Sequence, residues 1–152
     1  MLDVIIIGAG FSGLYQLHSL RDKLNLNCHL FEMGDEIGGT WYWNSYPGAR
    51  CDTESQAYCY YFDKKIYNKW NWTERYPAQS EIQDYLKFVA KELNLNKNIS
   101  LSSKVIKMNY IEDLNKWKIV LENGESIESR FVVTAVGCLS KPNTPKIDSI
   151  EN

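Results

Sequence analysis

The sequence lacks a long apolar run and a segment rich in Lys and Arg. Its hydrophobic stretches fall short of the ~20 residues that span a bilayer, and Met1-Leu2-Asp3 lacks the basic start of a signal peptide. Lys and Arg number 17 against 19 Asp and Glu, for a formal net charge of −2. Nucleic acids and membrane surfaces are bound through concentrated positive charge. We therefore expect a cytoplasmic protein that binds neither nucleic acid nor membrane.

Histidine and cysteine are scarce and scattered. The two histidines, His18 and His29, stand alone, and lone histidines lie more often at the surface or core edge than on a metal. The four cysteines, which are Cys28, Cys51, Cys59 and Cys138, show none of the paired short spacings that bind zinc. We expect no metal site and, in a cytoplasmic protein, reduced thiols.

The N-terminal residues carry the pattern of a βαβ unit. Val4 to Ile7 is a β-branched apolar run of the kind that forms a parallel strand covered on both faces. From Phe11 to Leu24, leucines recur at helical spacing, and Cys28 to Phe31 then predicts a second strand that ends at Glu32. The pattern predicts a parallel α/β sheet with a right-handed crossover.

Aromatic residues crowd a long stretch, 33–76, in which periodicity fades. This content argues against disorder, so we expect an ordered loop wrapped on another part of the molecule. A helix is predicted over Glu81 to Leu93, with Ser80 and Gln83 forming a capping box at its start.

The remaining residues predict strands. Ile99 to Tyr110 is strand-like, and Trp117 to Leu121 alternates before Asn123-Gly124, a strong hairpin signal, so a β-meander is expected. Phe131 to Val136 resembles another buried parallel strand. Because a chain of 152 residues has the length of one domain, these elements predict a Rossmann-like three-layer α/β fold that contains a parallel sheet and a meander.

A glycine motif lies between the first strand and its helix. In the G-x-G-x-x-G of Gly8, Gly10 and Gly13, the first glycine suits a tight turn, the second a close approach to pyrophosphate, and the third helix packing. Glu32, about 20 residues further on, is placed to accept both hydroxyls of an adenosine ribose. The alternative is that the glycines only form a turn and that Glu32 is solvated.

A second segment, from Gly38 to Ser55, closely resembles the flavin-dependent Baeyer–Villiger monooxygenases, a family of class B flavoproteins. The resemblance covers essentially the whole chain, including the aromatic run at Tyr58 and the closing segment from Thr134 to Pro142. It implies FAD as the cofactor and NADPH as the reductant. The implied activity is insertion of oxygen into a small-molecule ketone.

The resemblance also implies roles for particular residues. It places Glu32 on the FAD ribose, Asp52 and Tyr58 beside the flavin, and the Val105 backbone near the adenine. The implied cofactor-binding residues are Gly8, Gly10, Phe11, Ser12, Gly13, Glu32, Gly39, Thr40, Trp41, Tyr42, Trp43, Arg50, Cys51, Asp52, Tyr58 and Val105. Residues 50–52 are expected to meet the nicotinamide end of NADPH, and Asp52 is the candidate catalytic residue.

Two structural alternatives to these roles remain open. Arg50 and Asp52 are spaced to pair with each other at the surface. Five further aromatic residues of the long loop are expected to form loop core rather than cofactor contacts, namely Tyr60, Tyr61, Tyr67, Trp70 and Trp72.

The sequence contains one G-x-G-x-x-G, whereas members of the family need a second one for NADPH. We therefore expect residues 1–140 to be the FAD-binding domain and residues 141–152 a linker towards an NADPH domain. Such a chain is expected to hold FAD without turning over alone, and to self-associate or to join a missing C-terminal half. The alternatives are an N- or S-oxygenating flavin monooxygenase and a non-catalytic adenine-nucleotide-binding module.

Overall fold

The computed structural model describes residues 1–141, 143 and 145. Its strands are β1 (Leu2–Ile7), β2 (Cys28–Phe31), β3 (Ile99–Ser100), β4 (Val105–Ile111), β5 (Lys116–Leu121) and β6 (Ser126–Thr134). Its α-helices are α1 (Phe11–His18), α2 (Thr40–Trp43), α3 (Lys64–Lys69) and α4 (Gln79–Glu92). Among the described residues, no helix has the length and apolar character needed to cross a membrane. Most of the expected linker, 141–152, lies outside the described residues.

The six strands form one sheet in the order β3-β2-β1-β6-β5-β4. The first four strands in this order, which are β3, β2, β1 and β6, run parallel to one another. The strand β5 is antiparallel to both of its neighbours, β6 and β4. The strand β6 belongs to both parts, because it pairs with β5 near Ile127 and with β1 from Ser129 to Thr134. The strand that follows the predicted Asn123-Gly124 hairpin and the parallel strand predicted from Phe131 onward are therefore one continuous strand.

Two hydrophobic clusters place the layers on opposite sides of the parallel strands. On one side, Val4 and Ile6 of β1 pack with Leu14 of α1 and Leu86 of α4. On the other side, Ile5 of β1 packs with the meander, in a cluster that also contains Phe31, Ile119 and Leu121. The three-layer α/β fold predicted from the sequence is confirmed.

The first helix and the long loop differ locally from the prediction. The first helical pattern continues beyond α1 as a π-helical turn, Ser19–Lys23. The stretch predicted as a loop contains the short helices α2 and α3. The strand β6 is less buried than its apolar run indicates, since Phe131 is 53% exposed. Helix α1 packs on β1 and β2.

The predicted capping box is wrong. Helix α4 begins at Gln79, after the N-cap residue Ala78, so Ser80 lies inside the first turn and not at the cap. The Gln83 side chain instead donates to the carbonyl oxygen of Ile37 at 3.2 Å. Backbone bonds explain the earlier start, because the Gln79 N–H donates to the Ala49 carbonyl at 3.0 Å.

Candidate functional site

The turn after β1 is built by close backbone packing. Gly8 has φ +103°, and its N–H donates to the Phe31 carbonyl at 2.9 Å. A Cβ at Gly13 would lie 1.8 Å from the Gly8 carbonyl oxygen, which explains why helix α1 requires glycine there. In the described structure, no side chain caps α1 at Gly10. The first-turn N–H groups and the positive end of the helix dipole can therefore receive an anion.

Glu32 lies beside this turn, at the carboxyl end of β2. Its side chain is almost fully buried, with 5% of the residue exposed. One carboxylate oxygen accepts from the Ala9 N–H at 2.6 Å and the other from the Gly34 N–H at 2.8 Å. A carboxylate offers about four acceptor positions, so these two bonds leave capacity for two hydroxyl donors. The structure thus holds a fixed, desolvated anion next to the glycine turn.

A crevice connects the glycine turn, Glu32 and the start of β4. Its cavity has a volume of about 280 Å³, and its wall is mainly apolar. The cavity is lined by six of the predicted site residues, namely Gly8, Gly10, Glu32, Gly39, Trp43 and Val105. An adjoining cavity of about 320 Å³ shares Trp43 and Val136 with it and adds Thr40. Seven predicted residues therefore meet along one crevice.

The double glycine at positions 38 and 39 presses against the first glycine motif. Gly38 donates to the Ala9 carbonyl at 3.0 Å. A Cβ at Gly39, which has φ +55°, would lie 2.8 Å from the Gly10 Cα. Two backbones meet here without side chains, and the approach brings the start of α2 to the crevice. The glycine at position 10 thus also serves protein packing, in addition to the predicted approach to a pyrophosphate.

Three of the remaining aromatic residues of the predicted site, Phe11, Trp41 and Tyr58, form a cluster outside the two crevice cavities. Trp41 is buried, and its indole Nε1–H donates to the Tyr58 hydroxyl at 3.0 Å. The Phe11 ring meets Tyr58 edge-on, with 5.0 Å between centroids. Burial raises the pKa of the Tyr58 hydroxyl, so it stays protonated near neutral pH. Tyr42 donates its hydroxyl to the Asp35 carboxylate at 2.6 Å, and Ser12 is exposed.

Of the five further loop aromatics that were predicted to form loop core, three do and two do not. Tyr60, Trp70 and Trp72 are half-buried and pack against the main core, mostly around Tyr85. By contrast, Tyr61 and Tyr67 are exposed and stack on each other with centroids 5.1 Å apart. This exposed pair is not loop core.

Residues 50–52 lie away from the crevice lining. The Arg50 guanidinium pairs with Glu74 and donates to the Tyr76 carbonyl, so the expected alternative of a pair with Asp52 is wrong. The Asp52 side chain is exposed, and its contact is with the neighbouring Thr53 hydroxyl at 3.5 Å. Cys51 is buried, and its N–H donates to the Pro77 carbonyl at 3.0 Å.

Several crevice residues were not found by sequence reasoning. Ala9 carries the N–H that fixes Glu32, but the motif drew attention to the glycines on either side. Lys104 lines the crevice and pairs with Glu122 at 2.8 Å, although no motif surrounds it. Val136 could have been found, because it closes the last apolar run at the carboxyl edge of the sheet, where ligands of such folds bind.

Comparison with known proteins agrees with this geometry. A family model described as an NAD(P)-binding Rossmann-like domain matches residues 6–70. A Baeyer-Villiger monooxygenase from Pseudooceanicola batsensis is 41% identical over 150 residues, which are 99% of this chain and 28% of the relative. Phenazine N-monooxygenase PhzNO1 from Lysobacter antibioticus is 43% identical over 145 residues, which are 95% of this chain and 27% of the relative. Both relatives are thus matched over a little more than a quarter of their length.

The fold comparison extends over nearly the whole chain. The solved structure of OTEMO in complex with FAD and NADP is 37% identical and superposes with a TM-score of 0.90. The match covers 99% of this chain and 28% of that one. The resemblance predicted from the Gly38 to Ser55 segment is confirmed. The chain is similar over nearly its whole length to Baeyer–Villiger monooxygenases, and it corresponds to an N-terminal fragment of about a quarter of their length.

Proposed function

We propose that this chain binds FAD, with the ADP half of the cofactor lying in the crevice. The observation that carries the proposal is the shared cavity of the glycine turn and Glu32, in which a helix N-terminus and a buried carboxylate line one space. The first suits a pyrophosphate and the second suits the two hydroxyls of a ribose. A 2′-phosphate is disfavoured at Glu32 because its charge has the same sign.

The residues present fit the adenine end of such a ligand. Ile7, Phe31 and Val105 supply an apolar wall to the crevice, as a flat purine requires. A Cβ at Gly8 would lie 2.6 Å from the Ala135 carbonyl oxygen, so the turn packs closely against the residue that follows β6, which also lines the crevice. Bound there, the adenine would lie along the Val105 backbone.

The flavin end is assigned to the residues that follow the double glycine. We propose that Thr40, Trp41, Tyr42 and Trp43 lie along the cofactor, with Asp52 and Tyr58 beside the flavin. The segment of Arg50, Cys51 and Asp52, in which the first and last residues are exposed and Cys51 is buried, then forms the edge that meets the nicotinamide of NADPH. Trp43 supports a cofactor that runs from the first crevice cavity towards α2, because its side chain lines both cavities and remains about half exposed.

For the whole protein, we propose an NADPH- and O₂-dependent oxygenation of a ketone of the Baeyer–Villiger type. When bound, FAD supplies the redox chemistry, and NADPH supplies the electrons. The residues of this chain bind and orient FAD through its ADP half. We propose a cytoplasmic location for the protein, with residues 1–140 as the FAD-binding domain. The chain alone is proposed to be inactive and to self-associate or join a C-terminal half.

The test is titration of the purified chain with FAD and with ADP. We expect yellow protein after gel filtration, quenched flavin fluorescence, and competition by ADP. Glu32→Gln should weaken both ligands, whereas Glu36→Gln, an exposed carboxylate near it in sequence, should leave both unchanged. Binding of ADP without FAD would indicate a non-catalytic nucleotide-binding module, and binding of neither would refute the proposal.

A second candidate reaction is oxygenation of a heteroaromatic nitrogen. The identity of 43% to phenazine N-monooxygenase PhzNO1 favours it, because this relative is as similar to the chain as the ketone-oxidising one. Since the chain covers about a quarter of either relative, the test uses a full-length protein that contains it. Ketone and phenazine substrates would be compared by NADPH consumption and product mass.

A further inference from the structure

Two glutamines face the double glycine from helix α4. Gln79 and Gln83 are four residues apart and therefore lie on the same face of the helix. Both are half-buried, and helix α2 packs against this helix. Neither side chain lines the crevice cavities.

The two side chains hold both ends of the segment that contains the double glycine. The Gln79 Nε2–H donates to the Trp41 carbonyl, on the C-terminal side of the glycines. The Gln83 Nε2–H donates to the Ile37 carbonyl at 3.2 Å, on their N-terminal side. A further bond of 3.2 Å, from Gln79 Nε2 to Gln83 Oε1, links the two amides. This bridge, formed by Gln79 and Gln83, is called the glutamine clamp below.

The clamped segment has local backbone bonds, in which the carbonyls of Gly38 and Gly39 accept from the first N–H groups of α2, but the two glycines lack side chains to hold them against the rest of the protein. Gly38 and Gly39 contribute no side chains and have positive φ, so their conformation is costly to fix. They are nevertheless held where a Cβ at Gly39 would approach the Gly10 Cα to 2.8 Å. The Gly38 bond to the Ala9 carbonyl supplies one tie at the crevice side, and the clamp supplies two from behind.

We propose that the glutamine clamp is a positioning device that holds Gly39 against Gly10 and so fixes the wall of the crevice at the start of α1. The inference rests on the proposed function, since it concerns affinity for the diphosphate part of FAD. The clamp acts through Gly38 and Gly39 and does not touch the ligand. Glu32 and Val105 hold the adenosine end independently of it, so the two ends of the ligand respond differently when the clamp is broken.

The experiment compares ADP with adenosine on the full chain, by NMR or calorimetric titration. Gln79→Glu and Gln83→Glu keep side-chain size but remove the amide donors, and Gln56→Glu is the matched control because it adds the same charge at an exposed position. We expect each clamp variant to weaken ADP and FAD about three- to tenfold, the range of one lost hydrogen bond, with adenosine within twofold. The control should bind all three ligands like the wild type.

The outcomes separate the clamp from the proposed function. A wild-type chain that fails to bind ADP and FAD refutes the function, and the clamp proposal with it. Wild-type binding with unchanged ADP affinity in both folded variants refutes the clamp alone, as does an equal loss of ADP and adenosine. If Gln79→Glu does not fold, Gln83→Glu decides, because it removes the bond of Gln83 to Ile37 and leaves that of Gln79 to Trp41.

Discussion

The two ends of the candidate site hold their carboxylates in opposite ways. Glu32 is buried, and both of its oxygens accept backbone N–H groups at 2.6 and 2.8 Å. Asp52 is exposed, and among the described residues its side chain has one hydrogen bond, of 3.5 Å, with the adjacent Thr53. A group fixed by two backbone donors needs no reorganisation to receive a ligand, whereas an exposed one depends on what approaches it. The carboxylate at the proposed ADP end is thus preformed, whereas Asp52 at the proposed nicotinamide end is not.

The largest effect is expected from Gly13→Ala, which attacks the preformed end. The new Cβ would lie 1.8 Å from the Gly8 carbonyl oxygen, so β1 and α1 must separate. We expect a loss of about 3 kcal/mol or more in the free energy of unfolding. Urea denaturation measures it, with Gly48→Ala as the control. Gly48 has positive φ but open space around it, so about 1–2 kcal/mol is expected there. Equal losses would contradict the close-packed turn.

Glu32→Gln is expected to lower the free energy of unfolding by about 2–3 kcal/mol. The glutamine has an NH₂ group in place of one carboxylate oxygen, so one of the two backbone N–H groups that now donate to Glu32 loses its acceptor. Affinity for ADP should fall at least tenfold on the proposed function. Thermal denaturation and ADP titration measure the two effects. A stable variant with normal ADP affinity would show that the crevice anion is dispensable.

The pH dependence of stability should reveal the burial of Cys28 in β2, the strand that precedes Glu32. Burial raises the pKa of the Cys28 thiol from 9.0 to about 11. The unfolded state therefore loses this proton first as pH rises, and stability falls between about pH 9 and 11 by up to roughly 2–3 kcal/mol. In Cys28→Ala, this decline should flatten relative to the wild type, as measured by urea denaturation at several pH values. An unchanged slope would contradict the assignment.

The smallest effect is expected at the exposed end. Arg50→Ala breaks the pair with Glu74, and exposed ion pairs contribute about 0–1 kcal/mol. Asp52→Asn should change stability by less than about 0.5 kcal/mol. Both variants should bind ADP like the wild type, as measured by the same titration. A large loss of ADP affinity in either variant would show that the two ends are not independent.

The sequence predicted the crevice better than it predicted the loop. Strand, glycines and Glu32 follow local rules of turn geometry and parallel pairing, so their meeting at one sheet edge could be inferred. The partner of Arg50 could not, because the chain from Arg50 to Glu74 returns through short aromatic-rich segments without a readable period. The apparent capping box failed for a related reason. Gln83 satisfies a backbone carbonyl far away in sequence, and local patterns do not record such tertiary contacts.

The strand β6 joins the parallel and antiparallel parts of the sheet, and we expect this connection to make unfolding cooperative. Its pairing of Ser129 with Leu2 joins distant parts of the chain, while its other edge holds the whole meander. Pairing β1 with β6 closes a long loop of the chain, which has a high entropic cost and slows folding, so we expect this pair of strands to form late. Once it forms, neither the helical layer nor the meander can detach without exposing the other. The protein should therefore melt in a single transition, with no surviving half.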